Sequence, residues 1–143
     1  MKCITLTQPW ASLVAIGAKQ IETRSWSTRY RGPLAIHAAA GGYVDDYIEM
    51  KIEPFYSALV AGGIPNRLYL PLGGVLAICD LVDCFRFDGD TWKMLHPREV
   101  AFGDFRAGRF GFRLINVRRL PEPIPARGAL GLWTWDPPAG VKL

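Results

Sequence analysis

A short stretch near the amino terminus contains an indole, an ammonium, a carboxylate and a guanidinium, on Trp10, Lys19, Glu22 and Arg24. A nucleobase presents a flat π-face, an edge of hydrogen-bond donors and acceptors, and a phosphate close by. An indole can stack on the face, and a carboxylate can accept from an exocyclic amine. We therefore predict a nucleotide- or RNA-binding site in which Trp10 stacks, Glu22 meets the base edge, and Lys19 and Arg24 contact anions.

The same residues also fit a purely structural role. Trp10 lies at helical spacing from Leu13 and is then an ordinary core residue, while Glu22 and Arg24 form an ion pair on the surface of a sheet. The two interpretations differ in geometry, because only a ligand site requires these side chains to converge on one concave surface.

Lys19 and Glu22 are the candidate catalytic residues if the chain is an enzyme. A free lysine has a pKa of about 10.4, so a lysine that acts as a base near neutrality needs a large downward shift. An ionised Glu22 close by would oppose that shift, because it favours the ammonium form. We therefore expect Lys19 to be a fixed cation for an oxyanion or a phosphate, and Glu22 to be the acid or base that activates water.

Further polar residues are candidates for the same site. His37 can line the cleft or be a hydrogen-bonded, half-buried histidine. Arg109 and Arg113, on one strand face, can follow a phosphate backbone or be solvated strand-edge residues, and Asp104 can add a second acid or cap a turn. His37 and His96 show neither HxxxH nor HxH spacing, so we predict no metal, and no motif indicates a cofactor.

The elements that must position these residues begin with a short strand and a helix. An alternating pattern over 4–7 indicates a strand, and apolar residues recur at helical spacing over 10–16. A further strand is predicted over 19–26, and in it Glu22 and Arg24 are two residues apart and so face the same side.

Further along the chain, strands are predicted over 34–38, 75–82 and 109–118. Residues 44–61 are predicted as a helix that Pro54 breaks or kinks near its middle. Asp88-Gly89 is a hairpin-type turn signal. The prolines of 120–131 predict an extended wrapping loop, because prolines at alternate positions favour extended backbone and cannot donate to a sheet.

These elements predict an α+β fold: a mixed, partly open β-barrel with two or three short helices packed against it. The 143 residues, half of them apolar, suit one domain over 1–143. No apolar run approaches the ~20 residues that cross a bilayer, and the start lacks a secretory stretch. Three cysteines without CxxC spacing are most simply buried thiols. We expect a cytoplasmic protein with no membrane partner.

The net charge of +4 is modest, but positive residues are concentrated towards the two ends of the chain. Residues 1–44 carry five Lys/Arg against one acid, 45–93 carry four against eight, and 94–143 carry eight against four. If the fold brings the ends together, they form one basic face suited to an acidic partner. The alternative is a set of arginines scattered over a solvated surface.

Several stretches together resemble the ASCH domain family. They are Thr7-Gln8-Pro9-Trp10-Ala11, the pattern Gly17-x-Lys19-x-x-Glu22-x-Arg24, Arg31-Gly32-Pro33-Leu34-Ala35-Ile36-His37-Ala38, Leu72-Gly73-Gly74-Val75, and the ending from Phe102-Gly103-Asp104-Phe105 to Gly131-Leu132-Trp133. The likeness covers almost the entire chain in order. The GxKxxExR element is short, and its place after the QPWA helix and before RGPLAIH makes it specific.

The resemblance implies a β-barrel related to the PUA fold, a cleft beside the first helix, and binding of RNA or nucleotides in RNA metabolism. Some members resemble hydrolases that remove the acetyl group from N4-acetylcytidine, and others are described as ribonucleases. In the amidohydrolase members a lysine at the position of Lys19 works with a threonine three residues further on, and here Glu22 takes that threonine's place.

Three functions follow from these observations. The leading one is an RNA- or nucleotide-binding module that uses Trp10 and its polar neighbours. The second is a small hydrolase of modified nucleosides, similar to the N4-acetylcytidine amidohydrolases, or a ribonuclease, that uses Lys19 and Glu22. The third is a protein-interaction domain in which the proline-rich wrap and exposed tryptophans contact a partner. The sequence favours burial of Trp133 and Trp135, because they alternate with Thr134 in a terminal strand.

Overall fold

The computed structural model describes residues 1–44 and 46–143. Its strands are β1 (Lys2–Leu6), β2 (Ile21–Arg24), β3 (Gly32–Ala38), β4 (Gly74–Arg86), β5 (Phe110–Pro125) and β6 (Leu132–Thr134). Its α-helices are α1 (Trp10–Ala15), α2 (Asp46–Glu49), α3 (Phe55–Ala61) and α4 (Pro97–Phe102). The strands form one mixed sheet in the order β2-β5-β4-β3-β1-β6, which curls into a half-barrel. The predicted α+β, partly open barrel is confirmed.

The apolar strand predicted over 75–82 is the centre of the sheet. It forms part of β4, which pairs antiparallel with β3 on one side and with β5 on the other. Leu81 packs into the core beneath α1, whereas Val75 and Ile78 pack with Trp135 on the opposite face. Burial on both faces explains why this strand is almost continuously apolar instead of alternating.

The first helix lies over the sheet because β1 and β3 are parallel neighbours. Parallel strands need a crossover connection, and here the crossover contains α1 and β2. Ala11 and Val14 of α1 are fully buried in the main core. Gly17 follows the helix with φ +81°, the left-handed conformation that its sequence position predicted.

The helical segment predicted over 44–61 is two helices. Helix α2 ends at Glu49, and α3 begins at Phe55, directly after Pro54. Proline lacks a backbone N–H and its ring clashes with the preceding turn, so it is tolerated at a helix start and not in the interior. This break, together with α4, gives four α-helices among the described residues instead of the predicted two or three. Position 45 of the predicted helix lies outside the described residues.

The helices are short. The longest, α3, has seven residues. A helix that crosses a bilayer needs about 20 apolar residues. Within the described part of the chain, none of the helices has the length and apolar character for this.

The turn signal at Asp88-Gly89 lies just after β4, and residues 89–90 form a turn. Strands β4 and β5 are antiparallel neighbours, with Arg86 opposite Phe110, and residues 87–109 form a long excursion between them. The excursion contains a 3-10 helix at Thr91–Met94 and then α4. A turn preference is local and does not show how far the chain runs before the next strand begins.

The prediction of a wrapping loop over 120–131 is partly wrong, because β5 continues to Pro125. Ile124 pairs with Val75 of β4 in this extension. The prolines fit here because β2 pairs only with the first part of β5, so the extension has β4 as a neighbour on one side alone. A proline on an edge does not leave a partner strand without its hydrogen bond.

Candidate functional site

A cleft of about 470 Å³ opens between the start of α1, helices α2 and α3, strand β2 and the segment after α4. This volume lies within the range of about 300–1,000 Å³ that is usual for ligand pockets. The lining residues are Thr5, Thr7, Trp10, Glu22, Thr23, Arg24, Tyr47, Phe55, Ala101, Phe102, Gly103 and Asp104. Three of the residues predicted from the sequence, Trp10, Glu22 and Arg24, therefore share one concave surface.

Trp10, Tyr47 and Phe55 form an aromatic wall of the cleft. The rings of Tyr47 and Phe55 are stacked, with centroids 3.9 Å apart and an interplanar angle of 20°. Trp10 meets both rings edge on, at centroid distances of 5.7 and 6.3 Å. Each ring is held in place by the other two, which reduces the entropy lost when a ligand packs against them.

Glu22 and Arg24 form a polar wall, on the same face of β2 as the alternation predicts. Arg24 Nε donates to Glu22 Oε2 at 3.1 Å, and its Nη2 donates to the carbonyl oxygen of Thr5 at 2.8 Å. The other oxygen of Glu22 accepts from the N–H of Thr23 at 3.1 Å. These bonds fix the orientation of the guanidinium, and its Nη1 has no acceptor among the residues that the structure describes.

Lys19 lies behind the cleft and does not line it. Its side chain is fully buried, and Nζ donates to the carbonyl oxygens of Ile21 at 2.7 Å and Phe102 at 2.9 Å. Nζ also lies 3.7 Å from Glu22 Oε1, so these partners account for its three donors. Burial lowers the pKa of Lys19, and the carboxylates of Glu22 and Glu99 act in the opposite direction. Lys19 therefore ties β2 to the end of α4.

Glu99, in the middle of α4, is a second attachment to the strand region. Its Oε1 accepts from the N–H of Gln20 at 2.6 Å, whereas its Oε2 is buried and has no partner in the described part of the chain. Burial raises the pKa of the Glu99 carboxyl, although the backbone hydrogen bond and the charge of Lys19 oppose this. Lys19 and Glu99 together hold α4 against the start of β2.

Asp104 closes the cleft on the side of α4. Its N–H donates to Thr23 Oγ1 at 3.0 Å, which fastens the segment after α4 to β2. Its carboxylate accepts from Arg106 Nε at 2.8 Å and Nη2 at 2.6 Å, and lies 3.4 Å from Arg109. The hydrogen bonds from Arg106 hold the pKa of Asp104 below its usual value. Asp104 thus lines the cleft and also holds the turn around it.

The remaining predicted residues, His37, Arg109 and Arg113, lie outside the cleft lining. His37 is buried, and its Nε2 lies 2.7 Å from the carbonyl oxygen of Ala126. The guanidinium of Arg113 lies over the ring of Phe85, 5.5 Å from its centroid. Arg109 contacts the cleft lining through Asp104, because its Nε donates to the carbonyl oxygen of Asp104 at 3.2 Å and lies 3.4 Å from the carboxylate.

The structure adds lining residues that the sequence analysis did not select. The sequence pattern could have indicated Thr5 and Thr7, because Thr5 in β1 and Thr7 just after it flank the buried Leu6 and so face the other side. No sequence pattern indicated Tyr47 and Phe55 as site residues. They contact Trp10 from helices α2 and α3, which lie far from Trp10 in the chain.

Two known proteins are similar to this chain in sequence. Over 134 residues, 94% of this chain, it is 35% identical to Activating signal cointegrator 1 of Homo sapiens and 28% identical to the protein of that name from Mus musculus. The chain spans 22% of the length of each relative.

A solved structure and a family model agree with the fold. The crystal structure of ASCH from Zymomonas mobilis superposes with a TM-score of 0.54 at 18% identity, and the match covers 87% of this chain and 72% of that one. At this identity the likeness shows a shared fold. The ASCH domain model matches residues 4–122, which include the cleft-lining segments from β1 to the residues after α4. The chain belongs to the ASCH domain family.

Proposed function

We propose that the cleft binds a nucleotide of single-stranded RNA, and that the protein is an RNA- or nucleotide-binding module of RNA metabolism. The observation that carries this proposal is the convergence of Trp10, Glu22 and Arg24 on one concave surface. A purely structural ion pair would not need a concave surface or an aromatic wall beside it.

Each part of a nucleotide has a counterpart in the cleft. The base packs against the aromatic wall, where stacking contributes ~1–3 kcal/mol per base in proteins that bind single strands. Glu22 accepts a hydrogen bond from an exocyclic amine of the base. The Nε and Nη2 of Arg24 donate within the protein, and its Nη1 donates to a phosphate oxygen. The hydroxyl of Thr7 adds a donor and an acceptor for the ribose.

The position of Lys19 supports binding over hydrolysis. A cation that stabilises a reacting oxyanion must touch it. The Nζ of Lys19 is fully buried and directed at two carbonyl oxygens and Glu22. Arg24 and the N–H of Thr23 orient the carboxylate of Glu22, and each of its oxygens keeps a lone pair for the base edge. We therefore propose recognition without turnover. Hydrolysis of N4-acetylcytidine or RNA that disappears in Glu22→Gln would overturn this part of the proposal.

The positions of Trp133 and Trp135 support a nucleotide-binding function over a protein-interaction function. Trp135 is buried. Trp133 is half-buried, its Nε1 donates to Thr5 Oγ1 at 3.0 Å, and its ring meets His37 edge on. A protein-interaction function would have needed these rings on an open surface.

The state of the cysteines supports a location in a reducing cellular compartment. Cys3, Cys79 and Cys84 are unpaired. Burial raises the pKa of the thiols of Cys3 and Cys79 to about 12, so these two stay protonated near neutral pH. Free thiols suit a reducing compartment, and we place the protein in the cytoplasm.

Filter binding of a single-stranded RNA at several salt concentrations tests the proposal. Phosphate contacts make affinity fall steeply as salt rises. Arg24→Gln should weaken binding about tenfold and reduce the slope of log affinity against log salt by about one. Arg31→Gln is the matched control, because it removes the same charge from an exposed arginine outside the cleft. Equal losses in the two variants, or wild-type affinity no higher than that of a neutral control protein, would contradict the proposal.

A further inference from the structure

A second cavity, of about 530 Å³, adjoins the cleft. Gly103 and Asp104 line both, so the segment after α4 is the partition between them. The second cavity is also lined by Trp92, Phe105 and Arg106. Binding of one nucleotide in the cleft leaves this cavity unused.

Trp92 presents an aromatic surface in the second cavity. It lies in the 3-10 helix Thr91–Met94, and 47% of the residue's surface is exposed. Its Nε1 donates to the carbonyl oxygen of Gly89 at 3.2 Å, and Lys93 Nζ lies 5.9 Å from the ring centroid. The hydrogen bond anchors one edge of the indole while about half of the residue stays open. An anchored ring with an open surface suits base stacking.

Arg106 supplies a cation at the partition. Its side chain is 79% exposed, and its guanidinium makes a two-pronged pair with Asp104. Arg109 lies 3.4 Å from the same carboxylate, so two guanidinium groups face one acid and the local charge is positive. A phosphate that crosses from one cavity to the other passes these cations, and charge-assisted bonds from arginine to phosphate are strong.

We propose that the second cavity holds the next nucleotide of the same strand, with its base on Trp92 and the linking phosphate at Arg106. The ligand is then a single-stranded oligonucleotide of at least two nucleotides. A stacking plane, a cation at the partition and continuity with the cleft together favour this occupant over a protein segment. The inference rests on the proposed function of the cleft.

Competition binding with cytidine monophosphate and a tetracytidylate, on the full chain, tests the inference. The wild-type protein should bind the tetranucleotide more tightly. Trp92→Ala should weaken tetranucleotide binding about 5- to 150-fold, the effect of losing one base stack, and leave the monophosphate unchanged. Trp92→Phe should keep most of the affinity. Met94→Ala is the control, because Met94 lies in the same 3-10 helix, is exposed and does not line this cavity.

Arg24→Gln separates the two proposals, because it should weaken both ligands. Tetranucleotide binding that depends on Arg24 but not on Trp92 overturns the second subsite and leaves the first. Equal weakening of both ligands by Trp92→Ala also overturns the second subsite. If wild-type protein binds neither ligand, both proposals fall. Should Trp92→Ala not fold, Arg106→Gln decides, because it must lower the salt slope for the tetranucleotide by about one and leave the monophosphate unchanged.

Discussion

The Nζ atom of Lys19 lies 3.7 Å from Oε1 of Glu22, with the ammonium fully buried and the carboxylate at the edge of the cleft. Arg24 Nη2 lies 2.9 Å from the other oxygen of the same carboxylate. Glu22 therefore connects a buried cation that holds the structure together to a cation that lines the cleft. The GxKxxExR motif thus encodes both a structural contact and part of the cleft lining.

Lys19→Met should destabilise the fold. The substitution keeps most of the side-chain volume but leaves the carbonyls of Ile21 and Phe102 without a donor and Glu22 without its buried counter-ion. Removing one partner of a buried pair costs about 3–5 kcal/mol, so we expect the free energy of unfolding to fall by about 3 kcal/mol. Urea unfolding measures this. Lys93→Met, at an exposed ion pair, should cost less than about 0.5 kcal/mol, and similar losses in both variants would contradict the structural role.

Tyr47→Leu should weaken RNA binding with little loss of stability. Leucine keeps apolar contact with Phe55 but removes one ring of the aromatic wall, so affinity should fall about fivefold. Tyr56→Leu is a matched control, because Tyr56 packs against the same cluster and does not line the cleft. Isothermal titration with a single-stranded RNA measures both affinities. Unchanged affinity in Tyr47→Leu would show that the aromatic wall does not contact the base.

Glu99→Gln should change how stability depends on pH. Burial raises the pKa of Glu99 in the folded state, so between its unfolded pKa of about 4.3 and its folded pKa the folded protein binds more protons. The stability of the wild type therefore falls as pH rises through this window, and the loss is complete above the folded pKa.

A glutamine at position 99 does not titrate and can still accept from the N–H of Gln20. The free energy of unfolding of Glu99→Gln minus that of the wild type should increase from about pH 4.3 upwards. Urea unfolding at a series of pH values measures the difference. A difference that is constant with pH would show that the pKa of Glu99 is the same in both states.

Asp104→Asn should strengthen RNA binding. The substitution removes the only acid that faces Arg106 and Arg109 at the partition among the described residues, so both guanidinium groups can meet phosphates. We expect affinity to rise about threefold and the salt dependence to steepen. Asp83→Asn removes an equal charge from an exposed pair with Arg31 and is the control. Filter binding of both variants gives the comparison, and weaker binding in Asp104→Asn would assign the acid itself to ligand contact.

The fold was predictable where one element's pattern carried the information. The apolar run of β4 indicated a central strand, and the alternation in β2 placed Glu22 and Arg24 on one face. The prediction of a loop over 120–131 was partly wrong, because the structure there depends on which strands pair with the segment. The prolines of 120–125 continue β5 because β4 is the only strand that pairs with this part of β5 among the described residues.

By itself the sequence determined the helix that begins at Trp10 and ends before Gly17, and the shared direction of Glu22 and Arg24, because backbone conformation and strand alternation act over a few residues. Only the tertiary structure decided that Lys19 is buried behind the cleft and that Tyr47 and Phe55 stand beside Trp10. Those contacts join residues far apart in the chain, and they form only when separate elements pack against one another.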